Sequence, residues 1–361
     1  MAEKTVSGQS YAPSSSATEK VVKPGEFIFS VAHLDHGHIN GQTNGLLEAG
    51  GTLKWVYDTQ PARLEAFLKE YAHTGVKPVE RIEDILDDGE VQMVASAAIP
   101  GDRGPLGCRV MESGKDYFTD KCPFISLEQL EHAKSVVQAT GRKYMVYYSE
   151  RIHVESATYA DKLIKDGVLG DIVHMSILGP HRLAAPTRPD WFFDKSRYGG
   201  ILTDICSHQF DQFLHYAGAS DGEILHARVA NFANPDYPGL EDFGEAILKL
   251  DNGISCHSRV DWFTPDGLGI WGDGRSFIVG TKASLEIRKY IDVARDSIGD
   301  RIYLVDGKSE SMIDCYGVVG FPFFGELILD CLNRTEKAMT QAHAFKASEL
   351  SLKAQLIAEG K

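Results

Sequence analysis

The chain lacks any apolar run approaching the ~18 residues that a membrane span requires, any excess of positive charge, and any C-x-x-C pair. The first absence argues against a membrane-embedded protein. The second reflects 37 basic against 51 acidic side chains, a net charge of -14. Nucleic acid and anionic membrane surfaces are therefore not expected as partners. The six cysteines (Cys108, Cys122, Cys206, Cys256, Cys315, Cys331) mostly sit in apolar or regular stretches. Reduced thiols and a cytoplasmic setting are expected from them. Residues 1–24 carry Ser, Lys and Glu without an apolar core segment, so they are read as a mobile arm rather than a signal peptide. Internal repeats are absent as well.

What is present is an ordinary globular composition over 361 residues, 43% hydrophobic and 24% charged. That length predicts two domains with sizeable cores. Short apolar runs at Phe27 to Val31, Leu53 to Tyr57, Val91 to Ala98, Asp116 to Thr119 and Lys143 to Tyr148 alternate with helical patterns. The helices fall at Ile39 to Ala49, Pro61 to Tyr71, Ile82 to Leu86, a stretch through Val110, and Leu127 to Thr140. Alternation of this kind predicts α/β architecture, a doubly wound parallel Rossmann-type sheet over residues 25–150. Residues 151–361 read differently. Helical Ser156 to Asp166 precedes strands at Ile172 to Leu178, Ile224 to Phe232, Gly244 to Leu250, Ile254 to Trp262 and Ser276 to Arg288. Asp251-Asn252-Gly253 is a hairpin signal. A large, open, mainly antiparallel sheet results, in an α+β domain. An open sheet exposes apolar side chains unless a second copy covers it, so a homo-oligomer is expected.

In a doubly wound sheet the ligand lies beyond the C-terminal strand ends. The first loop there, Ser30-Val31-Ala32-His33-Leu34-Asp35, contains no glycine, although G-x-G-x-x-G is the usual dinucleotide signal. Asp35 would cap the following helix and compete with phosphate. Asp58 ends the second strand, where an acid meets the adenosine ribose. His33, His36 and His38 with Asp35 raise a metal site as a rival. Strand geometry sends them to opposite faces, and helix geometry brings together only pairs such as His33 and His36. A polar loop lining a pocket is the reading preferred, with no metal. After the fourth strand stands Asp120-Lys121-Cys122-Pro123. Its lysine could stabilise a ligand oxygen, or be a surface lysine before a turn. A cis bond at Pro123 would fix it.

Tyr198 to Ala217 (YGGILTDICSHQFDQFLHYA) reads as one amphipathic helix after a glycine pair. Leu202, Ile205, Cys206, Phe210, Phe213 and Leu214 form the buried side. Asp204, His208, Asp211 and His215 stack on the other, in water or in a cleft. A carboxylate one turn from an imidazole can orient it as a base near neutral pH. Gly199–Gly200 leaves room for another molecule to approach.

These pieces, in this order, resemble the glucose–fructose oxidoreductase and inositol dehydrogenase family of NAD(P)-dependent enzymes. The family's E-K-P is similar to Asp120-Lys121-(Cys122)-Pro123, and its G-G-G-x-x-x-D-x-x-x-H to Gly199–Gly200 through Asp204 and His208. Its Y-N-R-R-F-H is similar to Tyr148 through His153, its G-P-H-R to Gly179 through Arg182, and its C-terminal helix to Asn333 through Ala347. The resemblance covers roughly residues 27 to 355. It departs at the missing glycines and the inserted cysteine.

The resemblance implies hydride transfer between a nicotinamide and a secondary alcohol or ketone of a sugar or cyclic polyol. His208 is the implied base, oriented by Asp204, with Lys121 stabilising the alkoxide. Ser30, Ala32, His33, Leu34, Asp58, Ala98, Pro100, Lys121 and Tyr148 are implied cofactor contacts. Glu150, His181, Asp204 and His208 are implied substrate contacts. Asp58 favours NAD over NADP. Trp271, Asp273 and Arg275 in the Gly-rich 263–275 loop fit substrate, neighbouring-subunit or plain loop roles. The C-terminal helix is expected to return to the first domain. Two other activities remain open: an NAD-assisted glycoside hydrolase or lyase, and a cofactor-free binding or regulatory protein on the same scaffold.

Overall fold

The computed structural model describes residue 8 and residues 11–361. Two compact units divide the chain: Tyr11–Tyr147 with Gly320–Phe345, and Tyr148–Val319 with Lys346–Lys361.

In the first unit strands and helices alternate as β1 (Ile28–Ala32), α1 (His38–Glu48), β2 (Thr52–Tyr57), α2 (Pro61–Glu70), β3 (Lys77–Pro78) and α3 (Glu83–Leu86). The pattern continues with β4 (Met93–Ser96), α4 (Pro100–Glu112), β5 (Asp116–Asp120), α5 (Leu127–Thr140) and β6 (Tyr144–Tyr147). The order across the sheet is β3-β2-β1-β4-β5-β6, with every pair parallel. Strands β4, β5 and β6 are buried at every position, as strands covered by helices on both faces must be. The order reverses between β1 and β4, so the ligand crevice of such a sheet lies at their C-terminal ends. Helix α1 lies close to its neighbours because Gly41 and Gly45 lack side chains. A Cβ at Gly41 would stand 2.3 Å from the Tyr147 hydroxyl, and one at Gly45 2.3 Å from the Phe324 ring. Residues 11–24, expected as a free arm, are tied to this unit. Val21 N–H donates to Ala49 O (3.0 Å), Asn44 Nδ2 to Ala12 O (3.4 Å) and Phe321 N–H to Thr18 Oγ1 (3.1 Å).

The second unit contains α6 (Ser149–Ile152), α7 (Glu155–Lys165), β7 (Ile172–Pro180), α8 (Lys195–Tyr198), α9 (Ile201–Asp204), α10 (Ser207–Ala217) and β8 (Gly222–Ala230). After these come β9 (Phe243–Leu250), β10 (Ser255–Asp261), β11 (Arg275–Gly280), β12 (Ala283–Arg288), β13 (Arg301–Asp306) and β14 (Glu310–Asp314). The eight strands run β14-β13-β12-β11-β7-β10-β9-β8, antiparallel except for the β7/β10 pair. The single strand expected over 276–288 is two, because Thr281 and Lys282 turn away to bond Asp171 O and Leu169 O. Strands β13 and β14 were not anticipated. Helix α11 (Pro322–Asn333) belongs to the first unit, and α12 (Gln341–Ala358) begins there and ends in the second.

One buried acid links the start of β13 to α7. Asp300 Oδ1 accepts from Ser156 N–H (2.8 Å) and Oγ (3.0 Å). Burial, aided by the charge of Glu155, pushes its pKa up to about 7. An unfolded aspartate titrates near 3.9. Between those values the unfolded chain releases a proton that the fold keeps, so stability falls as pH rises. Asp300→Asn keeps the acceptor and suits the left-handed backbone at φ 53°. Urea melts at pH 5 and pH 8 are expected to show the variant gaining about 2–4 kcal/mol on wild type across that interval.

Candidate active site

In the first unit the glycine-free loop keeps a glycine-like path. His33 has φ 62°, the left-handed conformation in which glycine is at ease. Its N–H donates to Tyr57 O (2.9 Å), and its ring stands edge-on to Tyr57. Asp58 is spent on its own chain: Leu34 and Gln60 N–H groups donate to it, both at 2.6 Å, and Arg63 Nη2 lies 2.9 Å away. Asp35 does not cap α1 as expected. It pairs with the same Arg63, at 3.0 Å. Helix α1 has Gly37 as its N-cap without a side-chain cap bond, and its first N–H groups are engaged locally: His38 N–H donates to His36 Nδ1 (3.2 Å), Ile39 N–H to His36 O (3.2 Å) and Asn40 N–H to Gly37 O (3.1 Å). Ser30 and Ala32 are buried in β1. The left-handed turn and the sheet reversal together fit a dinucleotide, although Arg63 beside Asp58 removes the simple argument for NAD over NADP.

Ala98 and Lys121 are held by Arg103, a residue that the sequence reading missed, and Pro100 opens the helix α4 that carries it. Its guanidinium is fully buried and donates to Ala98 O (2.7 Å), Cys122 O (3.1 Å) and Lys121 O, and pairs with Asp120 Oδ2 at 3.0 Å. Lys121 N–H in turn donates to Asp120 Oδ1 (2.9 Å), so the Lys121 peptide is held on both sides. The Lys121 side chain is 6% exposed. The cis peptide bond here is Lys121–Cys122, one residue before the proline bond expected. A signal for Arg103 existed: a cation in the first turn of a helix opposes the macrodipole and calls for a compensating partner. Arg103→Met would leave Asp120 buried without its cation. A loss of about 3–5 kcal/mol in chemical denaturation is expected.

The histidines group differently from the expected cluster. His36 and His38 converge on Asp120, with Nδ1 atoms 3.3 and 2.9 Å from its oxygens. Their ligand-type atoms all lie within 4.8 Å of one another. Each already has a protein partner, since His36 Nδ1 accepts from His38 N–H (3.2 Å) and Asp120 also holds Arg103. Burial, then the neighbouring His38, lowers the His36 pKa well below the usual value, which suits an accepting Nδ1. Hydrogen bonding accounts for the group.

In the second unit the expected single helix is broken. Cys206 N–H reaches back to Ile201 O (3.3 Å), His208 N–H to Ile205 O (3.1 Å), and α10 starts afresh at Ser207. Asp204 thus ends α9 while His208 lies in the first turn of α10. Local winding changes of this kind are frequent at functional sites. The polar face is not a solvated one either. Asp211 forms a double contact with buried Arg151 (2.7 and 2.8 Å), and His215 Nε2 meets Asp161 at 2.9 Å. Burial lowers the His215 pKa to about 4. The space beside Gly200 (φ 98°) is taken by α12, where an added Cβ would lie 2.3 Å from Gln355. Gln355 Oε1 accepts from Leu202 N–H (3.0 Å) and Glu241 from Ile201 N–H (2.8 Å), capping α9.

His208 is 2% exposed, with Tyr148 edge-on to it at 6.4 Å between ring centroids. Tyr148 Oη meets Ser348 Oγ at 2.9 Å. Glu150 Oε2 is held by Lys289 Nζ (2.7 Å) and Gln209 Nε2 (3.0 Å), while its Oε1 has no partner among the described residues. Lys289 also donates to Gln212 (2.9 Å), whose amide donates to His208 O (2.9 Å). Lys289 was legible in principle: it follows Leu285 and Ile287 on the inward face of β12. His181 Nδ1 contacts Gly179 O (3.0 Å), and its ring packs on Trp262 and Trp271. Asp273 and Arg275 pair with each other at 2.7 Å. A cavity of about 830 Å³ beside Phe263, Thr264 and Ile291 is lined by Asp273 but by no implied catalytic, cofactor or substrate contact.

Among the described residues no helix is long and apolar enough to cross a membrane. Residues 158–286 match the family model for the GFO/IDH/MocA C-terminal domain. A crystal structure described as an oxidoreductase, from Erwinia carotovora atroseptica SCRI1043, is 42% identical with a TM-score of 0.88, covering 91% of this chain and 98% of that one. A levoglucosan dehydrogenase in complex with NADH and levoglucosan shares the fold at 16% identity and TM-score 0.74, covering 93% and 98%. The scyllo-inositol 2-dehydrogenase (NAD(+)) of Bacillus subtilis (strain 168) is 25% identical over 209 residues, 56% of this chain and 57% of that protein. The chain thus spans little more than half the length of the curated relative it matches. A reversing parallel sheet and an open antiparallel sheet, in a chain alike from end to end to a solved oxidoreductase, leave one assignment: the chain belongs to the Gfo/Idh/MocA family of oxidoreductases.

Proposed function

We propose that the protein is an NAD(P)-dependent dehydrogenase or reductase acting on a secondary alcohol or ketone of a sugar or cyclic polyol. The observation that carries this reading is the placement of His208 behind Tyr148, at the start of a helix re-wound just after Asp204. Relatives carry NADH or are NAD-dependent by name. The His33–Leu34 turn and the Ala98–Pro100 segment would hold the dinucleotide, with Asp58 and Arg63 towards its ribose. When bound, the nicotinamide supplies the hydride acceptor. This chain's residues do the rest. His208 takes the hydroxyl proton on its imidazole, Asp204 orients the imidazole or a neighbouring hydroxyl, and Lys121 stabilises the alkoxide electrostatically.

Titration with NADH and NADPH, read by nicotinamide fluorescence, tests cofactor binding; no saturable response to either would leave only the cofactor-free reading. Screening polyols and glycosides at catalytic enzyme concentration while following NADH separates net dehydrogenation from glycoside cleavage that returns its hydride.

We further infer that a second copy covers the outer face of the large sheet. Ile247, Phe277, Val279, Val305 and Met312 stand there 37–50% exposed, more apolar area than a lone domain usually leaves in water. The pair Phe277→Asp and Val279→Lys is expected to convert the oligomer to monomer in light scattering after size exclusion. A wild-type monomer would remove this proposal.

A further inference from the structure

Arginines deep in this molecule are answered by acids. Arg103 has Asp120 at 3.0 Å, Arg151 has Asp211 at 2.7 Å, and Arg182 has Asp266 at 3.3 Å. Arg188 is different. It lies in the second unit between two short 3-10 turns, Ala185–Thr187 and Asp190–Phe193. Its Nε donates to Leu183 O (2.8 Å) and its Nη2 to Arg182 O (3.1 Å). The guanidinium carbon stands 4.6 Å from the Phe192 ring and 5.1 Å from Trp262. Trp262 also packs on His181, an implied substrate contact. No carboxylate lies within ion-pair distance of Arg188 among the described residues.

Carbonyls and aromatic faces fix a guanidinium in place but do not neutralise it. Burial lowers the Arg188 pKa to about 10, and Asp204 is the acid whose field opposes that shift. A half-buried cation without a counter-ion costs free energy in the empty protein. Such an arrangement is common where a ligand brings the missing charge. Arg188 and His181, a proposed substrate contact, pack on the same Trp262 ring, and Asp204 of the proposed catalytic group acts on its charge, so the missing anion is one that the substrate would carry.

We propose that Arg188 selects an anionic sugar, one that presents a carboxylate or phosphate oxyanion to the open edge of its guanidinium. This rests on the sugar or polyol dehydrogenase reading and narrows its substrate class. Bidentate pairing with a fixed guanidinium suits either oxyanion. A neutral polyol leaves the cation unanswered.

The test uses the full chain with NADH and the fluorescence of Trp262, the ring against which Arg188 packs. The probes are glucuronate, its neutral methyl ester, glucose 6-phosphate and glucose. At least one anion is expected to bind about 10- to 100-fold more tightly than its neutral counterpart, and the two arms distinguish carboxylate from phosphate. Arg188→Met should abolish the difference, and Arg188→Lys should keep part of it. Equal binding of acid and ester and of phosphate and glucose, no saturable response to either anion, or an unchanged preference in Arg188→Met would each overturn the proposal. If Arg188→Met does not fold, the wild-type comparison of acid with ester decides alone. Arg188-dependent anion binding without NADH production from any sugar would sink the dehydrogenase reading and spare this one. Faster turnover of neutral polyols than of acids would do the reverse.

Discussion

Exchange of His208 for alanine or glutamine is expected to lower kcat about 10²- to 10⁴-fold, the usual contribution of a positioned general base. The structure makes this a clean experiment in one respect. The proposed cofactor contacts His33, Leu34 and Asp58 belong to the first unit and His208 to the second, so NADH affinity should stay within about threefold. The main-chain carbonyl of His208 is tied through Gln212 and Lys289 to Glu150, and that tie does not depend on the imidazole. Glutamine keeps much of the side-chain volume, which separates loss of a base from loss of packing in a site only 2% exposed. A kcat within threefold of wild type in both variants would remove His208 from the chemistry.

Lys121→Ala is the second large effect, a fall in kcat of about 10²- to 10³-fold, as for removal of one preorganised charge from an alkoxide. The backbone of Lys121 is gripped by Arg103 at its carbonyl and by Asp120 at its N–H, so truncation should not move the loop. Lys121→Arg keeps the charge with a different reach and should recover only part of the rate. The Lys121→Ala, His208→Ala double variant carries more information than either alone. If the two groups serve one hydroxyl, as proposed, the double loss should fall well short of the product of the single losses. Multiplying losses would mean that they act on separate steps.

The parallel sheet was legible because each of its central strands is an uninterrupted apolar run and each helix carries its own amphipathic stripe. Periodicity reports which side of an element avoids water. It does not report what a polar side finds instead. That is why Asp211 and His215 read as a face in water or in a cleft, whereas Arg151 and Asp161, some 60 and 54 residues earlier, bury them. The break at Ile205–Cys206 is invisible for a related reason: the apolar stripe continues across it, and only main-chain hydrogen bonds change partners. Glycine spacing misled in the opposite sense. Its absence at 30–35 left the usual dinucleotide signal missing, yet His33 adopts the left-handed turn anyway. Arg103 and Lys289 broke local rules of charge placement, one at a helix start and one on an inward strand face. Such violations mark residues with distant partners.

The backbone at His33 also has a practical meaning. A side chain that tolerates φ 62° does so at a cost of about 1–2 kcal/mol that glycine would not incur. The route of the main chain there is set by Tyr57 and Asp58, which grip the amides on either side. The imidazole is therefore an exchangeable fitting on a fixed rail, and at this proposed cofactor contact it can be swapped without redrawing the loop that carries it.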